Sequence, residues 1–253
     1  MTESNRPLSW SAIALAGLML SSCALAPAKL ERFAAARLDA LSVPSLSDSL
    51  ERAVHENDTI ALAQFVEQWK RQRGSANEGD VLATESQRRY RVRFTGGIHG
   101  GYPLTYFDEI SPAAEYRVKK IDHLRRAGIG APLVALRENR NRSPIEAFYP
   151  PEAITRPLTA VIASAENVDQ RTEVDIHLLC PLQNDQVRYG NTSKALAADF
   201  SVPWAALLAR TGRLNRAQWL DILTTTPSRD PQLYLMEPYN PNKEPLIMVH
   251  GLL

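Results

Sequence analysis

Apolar residues recur at close to helical spacing in the first third of the chain. They form one stripe after Asp58, at Ile60, Leu62, Phe65, Val66 and Trp69. A period near 3.6 residues predicts an amphipathic helix. Asp58 is a typical N-cap for a helix that begins at Thr59, and Gly74 is placed to end it. The stripe predicts packing against the globular body, with a lid or a partner-binding helix as the alternative.

Two more helices are predicted before this one. Residues 24–43 are rich in alanine, and Pro44 is placed to end the helix that they predict. Ser47-Asp48-Ser49 offers caps for the first helix of a hairpin that spans Ser45–Arg73. Together these elements predict a helical N-terminal segment over residues 23–80.

Alternation of polar and apolar residues predicts strands in the middle of the chain. Arg88–Phe94 sets Tyr90, Val92 and Phe94 against three arginines, which is the pattern of a half-buried strand. The arginines predict a solvated face, with binding of anionic head groups as the alternative. A short apolar strand is predicted at Pro132–Leu136.

The second half of the chain predicts a pair of strands, Leu158–Ala163 and Val174–Cys180. The polar turn Ser164–Thr172 separates them, and this spacing favours antiparallel pairing. The remaining predicted elements are helices at Ala113–Ala127, Leu196–Arg210 and Arg213–Leu223, a loop at Pro144–Arg156, and strands at Leu233–Met236 and Leu246–Val249. Interspersed helices and strands predict an α/β protein, whose mixed α/β region spans residues 81–253.

The charge balance excludes one class of partner. The 253 residues carry 29 basic and 28 acidic side chains, which gives a net charge of +1. No overall positive field points to nucleic acid, so no nucleic-acid partner is expected. The hydrophobic fraction of 44% is that of a globular protein.

The N-terminal residues have the pattern of an export signal. Arg6 precedes an uncharged apolar segment, Leu8–Leu20, that is shorter than the ~20 residues of a spanning helix. Leu20-Ser21-Ser22-Cys23 resembles the lipobox of bacterial lipoproteins. The resemblance implies a signal peptide at residues 1–22, cleavage before Cys23, and acylation of Cys23. The acylated cysteine of such lipoproteins carries more than one acyl chain, which is the condition for stable membrane anchoring. A plain signal peptide or an uncleaved anchor are the alternatives.

Two further expectations go with the acylation of Cys23, one for the location of the anchor and one for Cys180. Ala24 follows the cysteine, which by resemblance to Gram-negative lipoproteins implies an outer-membrane anchor facing the periplasm. Cys180 is then the remaining cysteine and has no partner for a disulfide within the chain. Because it closes the apolar run Ile176–Leu179, we expect it to be buried as a small hydrophobic residue.

The C-terminal residues carry a second resemblance. Pro245–Leu253 is an apolar run that ends in His250-Gly251-Leu252. It resembles the third strand and oxyanion turn of the α/β-hydrolases of esterase and lipase type. Weaker similarity to a lipoprotein branch of this superfamily is found at 130–134, 148–152, 156–160, 198–203 and 235–251. The implied fold is an incomplete α/β-hydrolase-type sheet, preceded by the N-terminal helical segment and truncated after the third-strand motif.

The resemblance also implies roles for the three residues of the turn. The backbone N–H of Leu252 would be one oxyanion donor, Gly251 would allow the sharp turn, and His250 would shape it. No Gly-x-Ser-x-Gly nucleophile elbow occurs in the chain. We therefore expect this chain to be catalytically incompetent, with an acyl-ester substrate only for a full-length relative. The alternative is a complete, non-enzymatic envelope lipoprotein that acts as a binding module.

Other candidate chemistry is sparse. The spacing of the histidines and cysteines matches no metal motif, and neither a metal nor another cofactor is expected. His99-Gly100-Gly101 favours a turn over an oxyanion loop. Glu173, Asp175 and His177 alternate on one strand face, which predicts a polar sheet face, with a carboxylate–histidine pair as the alternative.

Overall fold

In the described residues of this mixed α/β protein, two α-helices precede the strands along the chain and a third α-helix follows them. The computed structural model describes residues 44–95, 102–116, 123–140, 142–189, 191–211 and 234–235. The helices in these ranges are α1 (Leu46–His55), α2 (Thr59–Arg73) and α3 (Val202–Thr211). The strands of the main sheet are β1 (Glu78–Leu82), β2 (Arg89–Thr95), β3 (Glu109–Pro112), β5 (Ala131–Arg137), β6 (Ile154–Val168) and β7 (Arg171–Leu179). Shorter strands are β4 (Arg125–Arg126), β8 (Gln186–Tyr189), β9 (Thr192–Ala195) and β10 (Ala198–Asp199).

Local capping explains the bounds of the first two helices. The Ser45 hydroxyl accepts from Asp48 N–H at 3.1 Å, and the Asp48 carboxylate accepts from Ser45 N–H at 3.2 Å, which forms a capping box. The cap of α1 therefore lies before the predicted Ser47-Asp48-Ser49. The Asp58 carboxylate accepts from Ile60 and Ala61 N–H, and Gly74 ends α2 at a φ of +61°. Both predicted ends of α2 are confirmed.

The apolar stripe of α2 packs on the sheet. Phe65 and Trp69 are fully buried, and their rings lie 6.4 and 5.3 Å from the ring of Phe94 on β2. Tyr90 and Val92 belong to the same core cluster. The predicted packing of this helix against the body is confirmed.

The main sheet has the strand order β1-β2-β7-β6-β5-β3. Strands β2 and β7 are parallel, and the other neighbouring pairs are antiparallel. Two small antiparallel sheets, β4–β10 and β8–β9, accompany it. The predicted mixture of helices and strands is confirmed, and β1 begins at Glu78, within the segment 23–80 that was predicted to be helical.

The β6–β7 hairpin differs from its prediction in length. The antiparallel pairing is confirmed, but the strands continue through the predicted turn Ser164–Thr172 and reverse at Asp169, which has a φ of +55°. Thr172 is buried, and its hydroxyl donates to the Asn167 side chain at 2.8 Å. Polar side chains thus pair across the strands here, so polarity did not mark the turn.

Helix α3 covers the opposite side of the sheet. Val202 and Ala206 pack with Val134 and Leu136 of β5. The predicted helix began too early, at Leu196, because the Asp199 carboxylate caps the N–H groups of Ser201 and Val202.

Two other predictions are wrong in the described residues. Ala113–Ala127 contains a 3-10 turn at Ala113–Glu115 and strand β4 rather than one helix. The predicted loop Pro144–Arg156 contains a 3-10 turn at Pro144–Phe148 and the first residues of β6. The predicted helices at 24–43 and Arg213–Leu223, and the strand Leu246–Val249, lie outside the described residues.

Candidate functional site

The residues predicted from the two family resemblances lie outside the described ranges. These are Cys23, His250, Gly251 and Leu252, together with His99 in the glycine-rich segment 96–101. The described residues nevertheless include several polar groups. Their surroundings favour one or the other of the alternatives that the sequence left open for the polar strand faces.

The first group lies on the face of β7 that points away from α2. Glu173, Asp175 and His177 share this face, as their alternation predicts. The Asp175 carboxylate accepts from Arg93 Nε at 2.8 Å and Nη2 at 3.2 Å, and from Ser164 Oγ at 2.9 Å. The hydrogen bond from Arg93 is the largest cause that lowers the pKa of Asp175. The Asp175 carboxylate thus binds Arg93, which favours the polar sheet face over a carboxylate–histidine pair.

Two of the three arginines of β2, Arg91 and Arg93, are paired with acids. Arg91 lies 3.0 Å from Glu78 and 3.4 Å from Asp80, and Arg93 lies 3.5 Å from Glu173. Such exposed pairs each contribute less than about 1 kcal/mol to stability. The acids neutralise Arg91 and Arg93 locally. This favours a solvated face of ion pairs over a surface that binds anionic head groups.

Cys180 is fully buried and forms no disulfide. The expectation of a buried cysteine is confirmed.

A cluster of His123, Asp199 and Ser201 was not found from the sequence. Asp199 is buried, accepts from Arg125 Nε at 2.7 Å and lies 3.6 Å from His123 Nδ1. Ser201 Oγ accepts from Leu124 N–H at 2.7 Å. These contacts attach residues 123–126 to the start of α3, so the acid–histidine–serine composition is explained by capping.

A groove of about 470 Å³ lies beside the second half of β6. Strand β5 ends its pairing at Ala131 opposite Ala160, and the groove is lined by Val161–Ala165, by Gly130 and by the α1–α2 turn. Asp58 in this turn is bound to Arg52 and to the N–H groups that it caps. The described lining offers no pair of groups suited to acid–base or nucleophilic chemistry.

The most unusual polar group is the guanidinium of Arg156 on β6. Arg156 is only 2% exposed. Its Nη1 donates to the backbone oxygen of Thr155 at 2.9 Å, and the Tyr102 hydroxyl is a second hydrogen-bond partner. The ring of Tyr149 lies 4.5 Å from the guanidinium carbon. Within the described residues, Arg156 Nε has no hydrogen-bond partner.

A second arginine on the neighbouring strand provides a comparison. Arg137 of β5 stacks on Tyr106 at 4.4 Å, much as Arg156 stacks on Tyr149. Arg137, however, is paired with the carboxylate of Glu146. The pKa of Glu146 is lowered overall, because the hydrogen bonds from Arg137 and from Arg142 N–H outweigh burial, which alone would raise it. Two similar guanidinium groups therefore differ in whether a carboxylate of the described residues neutralises them.

The sequence contains a weak signal for Arg156. It is an arginine at the start of the apolar run Leu158–Val161, where charge is unexpected. The groups that surround it, Tyr102 and Tyr149, come from other segments and could not be assigned to it from the pattern. Among the described residues, no group of three or more potential metal-binding side chains comes together.

Comparison with known proteins adds no relative. No family model matches the chain, and neither the curated proteins nor the solved structures contain a match to it. In the part of the chain that the structure describes, no helix has the length and apolar character needed to cross a bilayer.

Proposed function

We propose that this protein is an exported lipoprotein, anchored by acylated Cys23 on the periplasmic side of the outer membrane, and related to the serine ester hydrolases. The observation that carries the export is Leu20-Ser21-Ser22-Cys23 after an uncharged apolar segment. The relation to hydrolases depends on the apolar run that leads into His250-Gly251-Leu252. In this proposal the chain itself does not hydrolyse esters.

The proposal assigns an accessory role to the described α/β body. The resemblance implies a parallel hydrolase sheet that includes Leu246–Val249. In the main sheet, β2 and β7 are the parallel pair, and the largest core cluster of the described residues lies between Leu50 and Cys180. A sheet of this kind is better suited to a separate module, situated between the membrane anchor and the hydrolase-like segment, than to the first half of a parallel hydrolase sheet.

Metabolic labelling tests the anchor. Cells that express the full chain are grown with a palmitate analogue, and the purified protein is examined for label. Wild type and Cys180→Ala should be labelled equally, whereas Cys23→Ala should not be labelled. Cys180→Ala is the matched control because it removes the other cysteine. Equal labelling of Cys23→Ala and wild type would contradict the lipobox interpretation.

The hydrolase relation is tested at the level of the gene. A reading frame that continues beyond codon 253 and encodes Gly-x-Ser-x-Gly, followed by an acidic residue and a histidine, would support it. A stop codon with no such coding sequence downstream would count against it.

The alternative is a non-enzymatic envelope lipoprotein whose α/β body binds a partner or ligand. The observation that favours it is the buried Arg156, which has no carboxylate partner among the described residues, because burial of an uncompensated charge is costly and a bound partner could offset that cost. Both proposals include the lipid anchor at Cys23. The gene sequence downstream of codon 253 distinguishes between them.

A further inference from the structure

A second cavity, of about 290 Å³, lies at the end of β5. One wall is formed by the 3-10 turn Leu104–Tyr106 and by Asp108, and the other by the end of β5 and the residues that follow it. Lys70 Nζ donates to the Leu104 carbonyl oxygen at 3.2 Å, which ties the turn to α2. The Asp108 carboxylate accepts from Glu138 N–H at 2.8 Å, which ties the two walls to each other.

The lining of this cavity contains more arginines than acids. The arginines are Arg137, Arg140 and Arg142, and the acids are Asp108 and Glu138. Both acids act on cations within the protein. Arg140 lies 3.0 Å from Glu138 and 3.5 Å from Asp108. Asp108 also acts on the buried Lys70, whose pKa is lowered by burial and partly restored by that carboxylate.

Arg142 carries the charge that the acids leave uncompensated. Asp108 and Glu138 compensate Arg140 and Lys70, and Glu146 is paired with Arg137. The side chain of Arg142 is exposed, and within the described residues its guanidinium forms neither a hydrogen bond nor an ion pair. An arginine keeps its charge in a protein, so one positive charge remains available at the cavity.

Arg137 adds a donor whose position is fixed. Its side chain is 12% exposed, its guanidinium stacks on Tyr106 at 4.4 Å, and its Nη2 donates to Glu146. Nε is enclosed, whereas Nη1 is not enclosed and has no hydrogen-bond partner among the described residues, so Nη1 is the group left for the cavity. The other oxygen of Glu146 accepts from Arg142 N–H at 2.8 Å. Glu146 therefore holds the two arginines next to each other.

We propose that Arg137 and Arg142 bind a small organic carboxylate in this cavity. Two guanidinium groups offer donors to both oxygens of a carboxylate, and one uncompensated positive charge matches its single negative charge. The volume is close to the lower end of the range for small-molecule sites, about 300–1,000 Å³. A phosphate dianion would bring more negative charge than Arg142 compensates, beside Asp108 and Glu138. This inference depends neither on the lipid anchor nor on the hydrolase relation.

The test uses the full chain with acetate as the probe and acetamide as its uncharged counterpart. The melting temperature is measured at neutral pH as each compound is added, with the ionic strength held constant by sodium chloride, and inorganic phosphate is titrated in parallel. Acetate should give a saturable increase, because a ligand that binds only the folded state stabilises it. Acetamide should give no saturable increase, and phosphate a smaller one than acetate.

Variants connect the response to the cavity. Arg142→Gln should weaken acetate affinity by about tenfold or more, the usual effect of losing a hydrogen bond to a charged group. Because the Arg142 side chain is exposed and unpaired within the described residues, this variant should melt like wild type when no acetate is present. Arg171→Gln is the matched control, since Arg171 is 48% exposed and pairs with Glu173 on β7. It should respond to acetate as wild type does.

Four results would overturn the proposal. A wild type without acetate response would show that the cavity binds no carboxylate. An equal acetate response in wild type and Arg142→Gln would show that any binding occurs elsewhere. An equal response to acetamide would remove the role of charge, and a larger response to phosphate than to acetate would overturn the choice of ligand.

Discussion

The turn at Gly130 allows a sharp test of the fold. Gly130 precedes β5 and has a φ of +87°, a value that side chains with a Cβ rarely adopt. A Cβ added here would lie 2.6 Å from the Ala160 carbonyl oxygen and 2.7 Å from Thr159 Cγ2. Both contacts belong to β6, the strand against which β5 is paired. The substitution Gly130→Ala therefore combines backbone strain with a clash at the centre of the sheet.

Gly74 separates these two effects. It also has a positive φ, +61°, but an added Cβ would meet no atom within 4 Å. Left-handed backbone costs an alanine about 1–2 kcal/mol, so Gly74→Ala should lower the free energy of unfolding by about that amount. Overpacking typically adds about 1–3 kcal/mol. Gly130→Ala should therefore cost about 2–5 kcal/mol.

Urea denaturation of the two variants and wild type measures the difference. We expect both midpoints to fall, Gly130→Ala more than Gly74→Ala, with similar dependence of the free energy on urea concentration. Equal losses in the two variants would refute the steric argument, because strain would then account for both. No loss at Gly130 would refute the described backbone at this turn and its close approach to β6.

Three further predictions concern charge, catalysis and association. Glu146→Gln should cost about 3–5 kcal/mol at pH 7 by leaving Arg137 without its carboxylate. Because the pKa of Glu146 is depressed in the folded state, its contribution to the free energy of unfolding is present above the unfolded pKa and is lost as pH falls through the folded pKa. Urea denaturation at pH 7 and pH 4 should therefore show that acidification lowers the free energy of unfolding less in the variant than in wild type. The purified chain should not hydrolyse p-nitrophenyl esters above background; turnover that His99→Ala abolishes would instead identify residues 96–101 as a site. Deletion of Pro245–Leu253 should reduce self-association in size-exclusion chromatography if Leu246–Val249 presents an open strand edge, and a concentration-independent monomer before deletion would contradict this.

The helix α2 could be predicted because its determinants are local. Asp58 caps it, an apolar stripe faces the sheet, and Gly74 ends it, all within one short segment. The half-buried strand β2 could be predicted for the same reason, since alternation reports the two environments of its faces. Both depend on residues adjacent in sequence.

The parallel partner of β2 could not be predicted in the same way. The arginine-rich β2 has a parallel neighbour, β7, and two of its arginines, Arg91 and Arg93, pair with acids from β1 and β7. Alternation does not report strand direction, because the outward face of either kind of sheet can be polar. The β6–β7 turn was missed because Thr172 and Asn167 bond across the hairpin where polarity suggested a loop.

The candidate site was missed for a related reason. Arg156 appears in the sequence as an arginine before a proline, close to an apolar strand. Its burial depends on Tyr102 and Tyr149, which are brought to it by other elements. A charged residue is expected at the surface, and only the assembled sheet shows that this one is enclosed.

The two stacked arginines, Arg137 and Arg156, together test how burial of a guanidinium affects stability. Arg137 and Arg156 lie on adjacent strands, and each stacks on a tyrosine at similar distance. If stacking and burial alone stabilised them, neutralising either site should have the same sign of effect. Arg137 has Glu146, so removal of that carboxylate should destabilise the fold. Arg156 has no such partner in the described residues, so Arg156→Met should not destabilise the protein. A loss of stability in Glu146→Gln without a loss in Arg156→Met, measured by urea denaturation, would therefore show that the ion pair, and not the stacking, stabilises these buried arginines, whereas equal losses would contradict this.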